Sequence, residues 1–390
     1  MAKKWQEKGH KVRILAASYS HVRSVQPKIT EKTREMIDGI EYTWYPTPKY
    51  EQNGVARVKN ILAFLKEVWL DSKNIVNDFQ PNVVIASSTY PMDIWVAERI
   101  SKLANAKLIY EVHDLWPLSP IELGGMSPRH PFIQWCQFAE NTAYKQSDAV
   151  VSMLPKVHEH MKAHGLDLKK LHIIPNGIAE EEWQTDQIES LVEGELKEFL
   201  EEMKQQGKFI VGYAGSHGQP NALQYLIEAA KIIKTIDDSI VFVLVGSGLE
   251  KQNLKNLSNR YDLKNIFFFD PIPKKQIPNL LSYFDTAYIG WNKTPIYRFG
   301  ISPNKLMDYM ISGCVVLHSV EAGNDPVMEA SCGITVEPEN PQAIVDAILQ
   351  LKLLSKEERL QIGKSGHDYV KQNQTYSILS DKFLEVMQNA

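Results

Sequence analysis

Two periods alternate along the chain. Short, near-continuous apolar runs rich in β-branched residues are separated by longer stretches whose apolar residues recur every three or four positions. In the first half the short runs are Val12–Ala17, Ile40–Tyr45, Val83–Ala86, Lys107–Val112, Ala149–Met153 and Leu171–Ile174. In the second they are Phe209–Tyr213, Ile240–Val245, Ile266–Phe269, Thr286–Gly290, Val315–His318 and Gly333–Val336. Continuous rather than alternating apolar runs mark strands covered by helices on both faces. Strand–helix–strand alternation therefore predicts an α/β protein of two Rossmann-like, doubly wound parallel-sheet domains.

The punctuation between the halves is Pro175-Asn-Gly-Ile178, followed by a strongly acidic stretch from Glu180 to Glu202. The predicted boundaries are an N-terminal domain at 1–180, an acidic linker with a surface helix at 181–207 and a second domain at 208–370. A C-terminal helix at 371–390 has Ile378, Leu379, Phe383, Leu384 and Met387 at helical spacing and could pack back on the N-terminal domain. Ligands bind at the carboxyl ends of parallel strands, so two such domains are expected to face each other across a ligand cleft. The start is unusual. A short helix ends at Gly9 and a strand follows at once, with no strand before that helix. The first strand of a Rossmann unit lies mid-sheet, so its absence would leave two interior edges unpaired.

Composition narrows the classes. Of 390 residues 44% are hydrophobic and 23% charged, an ordinary globular balance over a length suited to two domains. No apolar run is long enough to span a membrane, and the first residues lack the apolar segment of a signal peptide. Cys136, Cys314 and Cys332 are far apart and read as reduced thiols of a cytoplasmic protein. No CxxC, no HExxH and no clustered Cys/His set suggests a metal site. Through Ile178 there are 23 Lys and Arg against 18 Asp and Glu, so a basic first half precedes an acidic second half. That asymmetry points the first half at something anionic. On the predicted helix around residue 60, Val58, Ile61, Leu62, Leu65, Val68 and Trp69 form a stripe among Arg57, Lys59 and Lys66. It reads as core packing or as a basic amphipathic helix on anionic lipid.

Candidate chemistry gathers at the predicted carboxyl ends of strands. Ser302 is a good N-cap and Pro303 a good first residue for a helix stopping at Gly313. Its N-terminus would suit a phosphate, with Lys305 in the first turn, Asp308 three residues on and Arg298 upstream. Asn304 lies at the same helix start. Gly212-Tyr-Ala-Gly-Ser-His-Gly218 follows the first strand of the second half, and its glycines let the backbone approach a ligand. Val245-Gly-Ser-Gly248 ends the next strand and could leave room for a base. Glu111-Val-His-Asp-Leu-Trp-Pro117 ends a strand of the first half and presents His113 and Asp114.

These motifs, with Ala16-Ala-Ser-Tyr-Ser-His21 and Ile174-Pro-Asn-Gly-Ile178, resemble the retaining family-4 glycosyltransferases of GT-B fold. The chain looks most like the branch working in bacterial O-antigen, capsule and exopolysaccharide assembly, often described as FucNAc-transferase-like. The resemblance covers essentially the whole chain. It implies that Asp308 binds the donor ribose, that Gly215 and Ser216 face the donor diphosphate, and that His113 contacts the transferred sugar. Asp114, Lys305 and Arg298 join His113 as candidate catalytic groups, and Gly246, Ser302 and Asn304 join the donor-binding set. The sequence departs from the family where a Glu-x7-Glu pair is usual: the first position aligns with Gly300 and the second with Asp308. The usual Arg and Lys after the glycine turn align with Ser216 and Asn221, so Lys305 and Arg298 are expected to supply the charge.

The implied function is metal-independent, retaining hexosyl transfer without a cofactor. The expected donor is a UDP-linked sugar, and the expected acceptor is a lipid-linked saccharide at the inner face of the cell membrane. The basic N-terminal domain would hold the protein peripherally there. No nucleic-acid partner is expected. Two rivals share the fold: a nucleotide-sugar 2-epimerase, and a donor-binding subunit inactive for want of the first strand. Neither half opens with the G-x-G-x-x-G fingerprint of a dinucleotide oxidoreductase.

Overall fold

The computed structural model describes residues 1–20, 23, 25–51, 54–183 and 192–390. His21 lies outside them, as do residues 184–191 of the expected linker. The chain forms two compact units, one of Met1–Pro175 with Leu379–Ala390 and one of Asn176–Ile378.

In the N-terminal unit the strands are β1 (Arg13–Ala17), β2 (Thr33–Ile37), β3 (Ile40–Tyr45), β4 (Val83–Ala86), β5 (Lys107–Val112), β6 (Ala149–Ser152) and β7 (Leu171–Ile173). They make two sheets, ordered β1-β3-β2 and β4-β5-β6-β7. All pairs are parallel except β2 with β3. β2 was not expected, because its middle residues Arg34, Glu35 and Met36 are exposed and give it little apolar signal. Its signature is the turn: Asp38 and Gly39 have φ of 49° and 80°, the left-handed pair of a two-residue hairpin.

Among the described residues β1 pairs only with β3 and β4 only with β5. All five β1 residues are half-buried, whereas β8 of the second unit (Phe209–Ala214) is buried throughout. The long helix Val55–Phe79 runs antiparallel to β1. Its C-terminal Asp78 accepts from Arg13 at 2.8 Å, and its N-terminal Asn60 donates to the Tyr19 carbonyl at 3.3 Å. The face of β5 and β6 carrying Ile109, Ala149 and Val151 is covered by Leu379, Phe383 and Val386 of the helix Tyr376–Asn389, with Trp5 against Phe383.

The C-terminal unit continues from β8 with β9 (Ile240–Val245), β10 (Ile266–Phe269), β11 (Thr286–Gly290), β12 (Val316–Ser319) and β13 (Gly333–Val336). They form one parallel sheet ordered β10-β9-β8-β11-β12-β13. Alternate residues enter opposite cores: Ile210, Val243 and Ile289 on one face, Val211, Phe242 and Tyr288 on the other. The acidic segment is not simply a surface linker. Its helix Gly194–Gln205 buries Leu196, Leu200 and Met203 in the first of these cores. Its acidic residues had masked that periodicity. Among the described residues no helix is long and apolar enough to cross a membrane.

Candidate active site

The carboxyl ends of β8 and β9 lead into the two glycine turns. Gly215 has φ of +152°, and a side chain there would meet the Lys305 Cε at 2.7 Å. Gly246 has φ of +150°, and a Cβ would fall 1.9 Å from the Gly215 carbonyl oxygen. Only glycine at both positions lets these turns lie against each other and against Lys305. The Ser216 carbonyl accepts from the Tyr213 hydroxyl at 2.6 Å and the Asn221 amide at 2.9 Å, which pins the loop.

Lys305 rises into this loop from the helix Asn304–Ile311. Its ammonium donates to the Tyr213 hydroxyl at 2.6 Å and to Asn221 Oδ1 at 3.0 Å, and lies 4.2 Å from the Tyr213 ring centre. Among the described residues no carboxylate pairs with it. Burial alone therefore pulls its pKa down to about 7. A cation held away from water without an anion is poised for an anionic ligand. Asn221 thus helps hold the Lys305 ammonium in place.

One turn along, burial lifts the Asp308 carboxyl to about 6; Lys274 opposes the shift and Glu182 adds to it. Lys274 pairs with Glu182 at 2.5 Å. Asp308 thus faces this ion pair.

Ser302 does not cap the helix. Pro303 holds the cap position, and the Ser302 hydroxyl accepts from the Asn176 N–H at 2.8 Å. The Asn176 amide also donates to the Ser302 carbonyl at 2.7 Å. The two motifs Pro175-Asn-Gly and Ser302-Pro-Asn-Lys, far apart in sequence, are one structural feature. The helix N-terminus is ordered from outside, and Asn304 is exposed on it. Gly313, at φ of +73°, ends the helix as expected. Arg298 is exposed, donates to the Pro295 carbonyl at 2.6 Å and lies over the Phe299 ring.

His217 was not singled out by sequence. It is fully buried beneath the turns, and neither ring nitrogen has a hydrogen-bond partner among the described residues. Burial, with Lys251, Lys305 and Lys255, lowers its pKa to about 4, so the ring is neutral. A separate cavity of about 330 Å³ lies at the carboxyl ends of β12 and β13, lined by His318, Asn324, Asp325 and Thr335 among others. Asn324 borders it and clasps the Ile301 backbone from both sides at 2.7 and 3.1 Å.

His113 and Asp114 belong to the N-terminal unit. His113 Nε2 lies 2.9 Å from the Ser87 hydroxyl, and that hydroxyl donates to Glu111. Burial works against a charged His113. The hydrogen bond and charge of Glu111, with Asp114 and Asp93, outweigh it and raise the pKa. Burial also raises Asp114, and lifts Asp93 to about 6. The strand end thus holds a set of interacting titratable groups rather than a lone imidazole.

Residues 1–177 match the family model for a glycosyl transferase 4-like domain, and residues 196–368 match that for glycosyl transferases group 1. The chain is 29% identical over 153 residues to the colanic acid biosynthesis glycosyl transferase WcaI of Escherichia coli (strain K12). That match covers 38% of the chain and only 37% of the relative. A structure of Anabaena HepE in complex with UDP and glucose superposes with a TM-score of 0.65 at 15% identity, over 90% of this chain and 87% of that one. WaaG, a glycosyltransferase involved in lipopolysaccharide biosynthesis, superposes with a TM-score of 0.65 at 14% identity, over 98% and 92% of the two chains.

Proposed function

Because the chain belongs to the GT-B glycosyltransferases, with a glycosyl transferase 4-like domain followed by a group 1 domain, we propose that it transfers a hexosyl unit from a UDP-sugar to a lipid-linked saccharide. The product would be a precursor of a bacterial surface polysaccharide, made with retention of anomeric configuration and without a metal. The observation that carries the donor half is the Lys305 ammonium, partly buried without a carboxylate and held against the Gly215 turn.

In this reading the diphosphate lies on the Gly215 and Ser216 backbone and the start of the helix Asn304–Ile311. As the glycosidic bond breaks, negative charge grows on the diphosphate and positive charge on the sugar ring. Lys305 and the helix N-terminus stabilise the former, an electrostatic contribution that is usually the largest in such reactions. Asp308, ionised above about pH 6, accepts from the ribose hydroxyls. His113, by the resemblance, contacts the transferred sugar. Arg298 is a peripheral contributor, since its guanidinium is already engaged.

WcaI is named for colanic acid biosynthesis and WaaG for lipopolysaccharide biosynthesis, which supports the surface-polysaccharide assignment. The membrane-facing reading is supported by the helix Val55–Phe79. Ile61, Leu65 and Val68 are buried in the core, but Val55, Leu62, Trp69 and Leu70 are exposed beside the exposed Lys59, Lys66 and Lys73.

The test is thermal unfolding with UDP, GDP and NAD in turn, followed by transfer from radiolabelled UDP-sugars to a polyprenyl-diphosphate saccharide. UDP at about 100 times its Kd should raise the midpoint by several degrees, and Asp308→Ala should abolish the rise in a folded protein. Equal shifts with all three ligands, or none with any, would refute the donor assignment. Donor turnover independent of added acceptor would favour an epimerase.

A further inference from the structure

A second cluster lies in the N-terminal unit, away from the glycine turns. The helices Pro131–Gln146 and His158–Ala163 flank β6. Glu140 on the first is 1% exposed, and its carboxylate lies 3.3 Å from His160 Nε2 on the second. His164, just past the end of that helix, is one turn beyond His160, and the two rings are 4.4 Å apart. One ligand atom from each of Glu140, His160 and His164 lies within 4.8 Å of the others.

We propose that Glu140, His160 and His164 bind one divalent transition-metal ion, Zn²⁺ fitting the set best. Two imidazoles and a carboxylate are a recurrent zinc donor set, and a fourth, open position takes water. Metal–ligand distances of about 2.0–2.1 Å in a tetrahedron put donor atoms about 3.3–3.4 Å apart. The Glu140–His160 spacing already has that value. The supporting contacts orient the donors as metal sites require. Glu140 Oε2 accepts from Gln137 at 2.7 Å and Oε1 from the Tyr144 hydroxyl at 2.9 Å. His164 Nδ1 lies 2.8 Å from the His160 carbonyl; donating there, it leaves Nε2 as the nitrogen with a free lone pair. Charge points the same way. Among the described residues the ion-pair partner of the buried Glu140 carboxylate is the His160 imidazole, cationic only when protonated, and no Lys or Arg adds to it; a metal ion would supply the lasting positive charge. Glu140 is 20 residues from His160, so the sequence shows only the i, i+4 histidine pair and not the third donor. The ion would tie the two helices together, steadying the first unit rather than taking part in transfer.

The experiment uses the full chain, stripped with chelator and titrated with Zn²⁺ against a chromophoric competitor. Co²⁺ serves as a spectroscopic probe of four-coordination. The expected result is one tightly bound ion, with saturating Zn²⁺ raising the unfolding midpoint by about 5 °C or more. His160→Ala and His164→Ala should each weaken binding on the order of 100-fold. His158→Ala, on the same helix with an exposed side chain, should change nothing. Because His160→Ala can unfold the unit, the partly exposed His164 and the near-isosteric Glu140→Gln are read beside it, with circular dichroism checking the fold. A folded His164→Ala variant that keeps wild-type affinity and stoichiometry overturns the proposal, as does wild-type protein that binds no Zn²⁺ or gives a Co²⁺ spectrum of six-coordination.

Discussion

Lys305 carries a desolvation cost that an anionic ligand would offset. Its folded pKa of about 7 lies far below the ordinary value of 10.5, so below pH 7 the folded protein carries a desolvated ammonium that the unfolded chain solvates freely. The penalty is full below about pH 7 and fades as pH rises from there to 10.5. Lys305→Met should therefore unfold at a higher temperature than wild type near pH 6, and calorimetry should find the gain vanishing towards pH 10. The same variant should lose at least about 10-fold in UDP affinity, since hydrogen bonds to charged groups contribute about 1.5–3 kcal/mol. A diphosphate beside Lys305 raises its pKa, so binding takes up a proton above pH 7. Asp308 must be ionised to accept fully from a ribose, which favours pH above about 6. Titration calorimetry should accordingly find UDP affinity highest between about pH 6 and 7, falling on both sides. A flat profile would mean that neither group meets the ligand.

At the scale of the element, the helix Val55–Phe79 shows how one sequence stripe can serve two surfaces. Its buried positions hold the core, while Leu62 and Trp69 remain 48% and 43% exposed beside lysines spaced two turns apart. Replacing Leu62 and Leu70 by Glu should reduce sedimentation with phosphatidylglycerol vesicles at least several-fold, with the unfolding midpoint nearly unchanged; Trp69 is left in place because its ring lies 4.6 Å under the Arg99 guanidinium. Equal sedimentation of variant and wild type would leave the stripe without a lipid role. The helix Gly194–Gln205 teaches the reverse lesson. Its acidic residues suggested a solvated linker, yet Leu196, Leu200 and Met203 at helical spacing are buried in the core of the second unit. Charge on one face of a helix says little about the face opposite.

Across the whole molecule, the last helix belongs with the first unit. Phe383 is fully buried against Trp5 and the β5–β6 face. Phe383→Ala should destabilise that unit by about 3–5 kcal/mol, leaving the transition of the second unit in place. Differential scanning calorimetry reads both; a shift in the second transition alone would contradict the assignment of this helix. What the sequence by itself determined was the set of elements and their class. Strands covered on both faces need unbroken apolar runs, and twelve of them matched observed strands to within a residue or so at either end. β2, with its middle exposed, had no apolar run to reveal it and was marked only by its Asp-Gly turn. The tertiary structure decided the partnerships. Asn221 holds Lys305, Asn176 holds Ser302, and Glu140 meets two histidines. Such contacts join residues many positions apart. Local patterns record which way a side chain must face, but only the packed chain determines what it meets there.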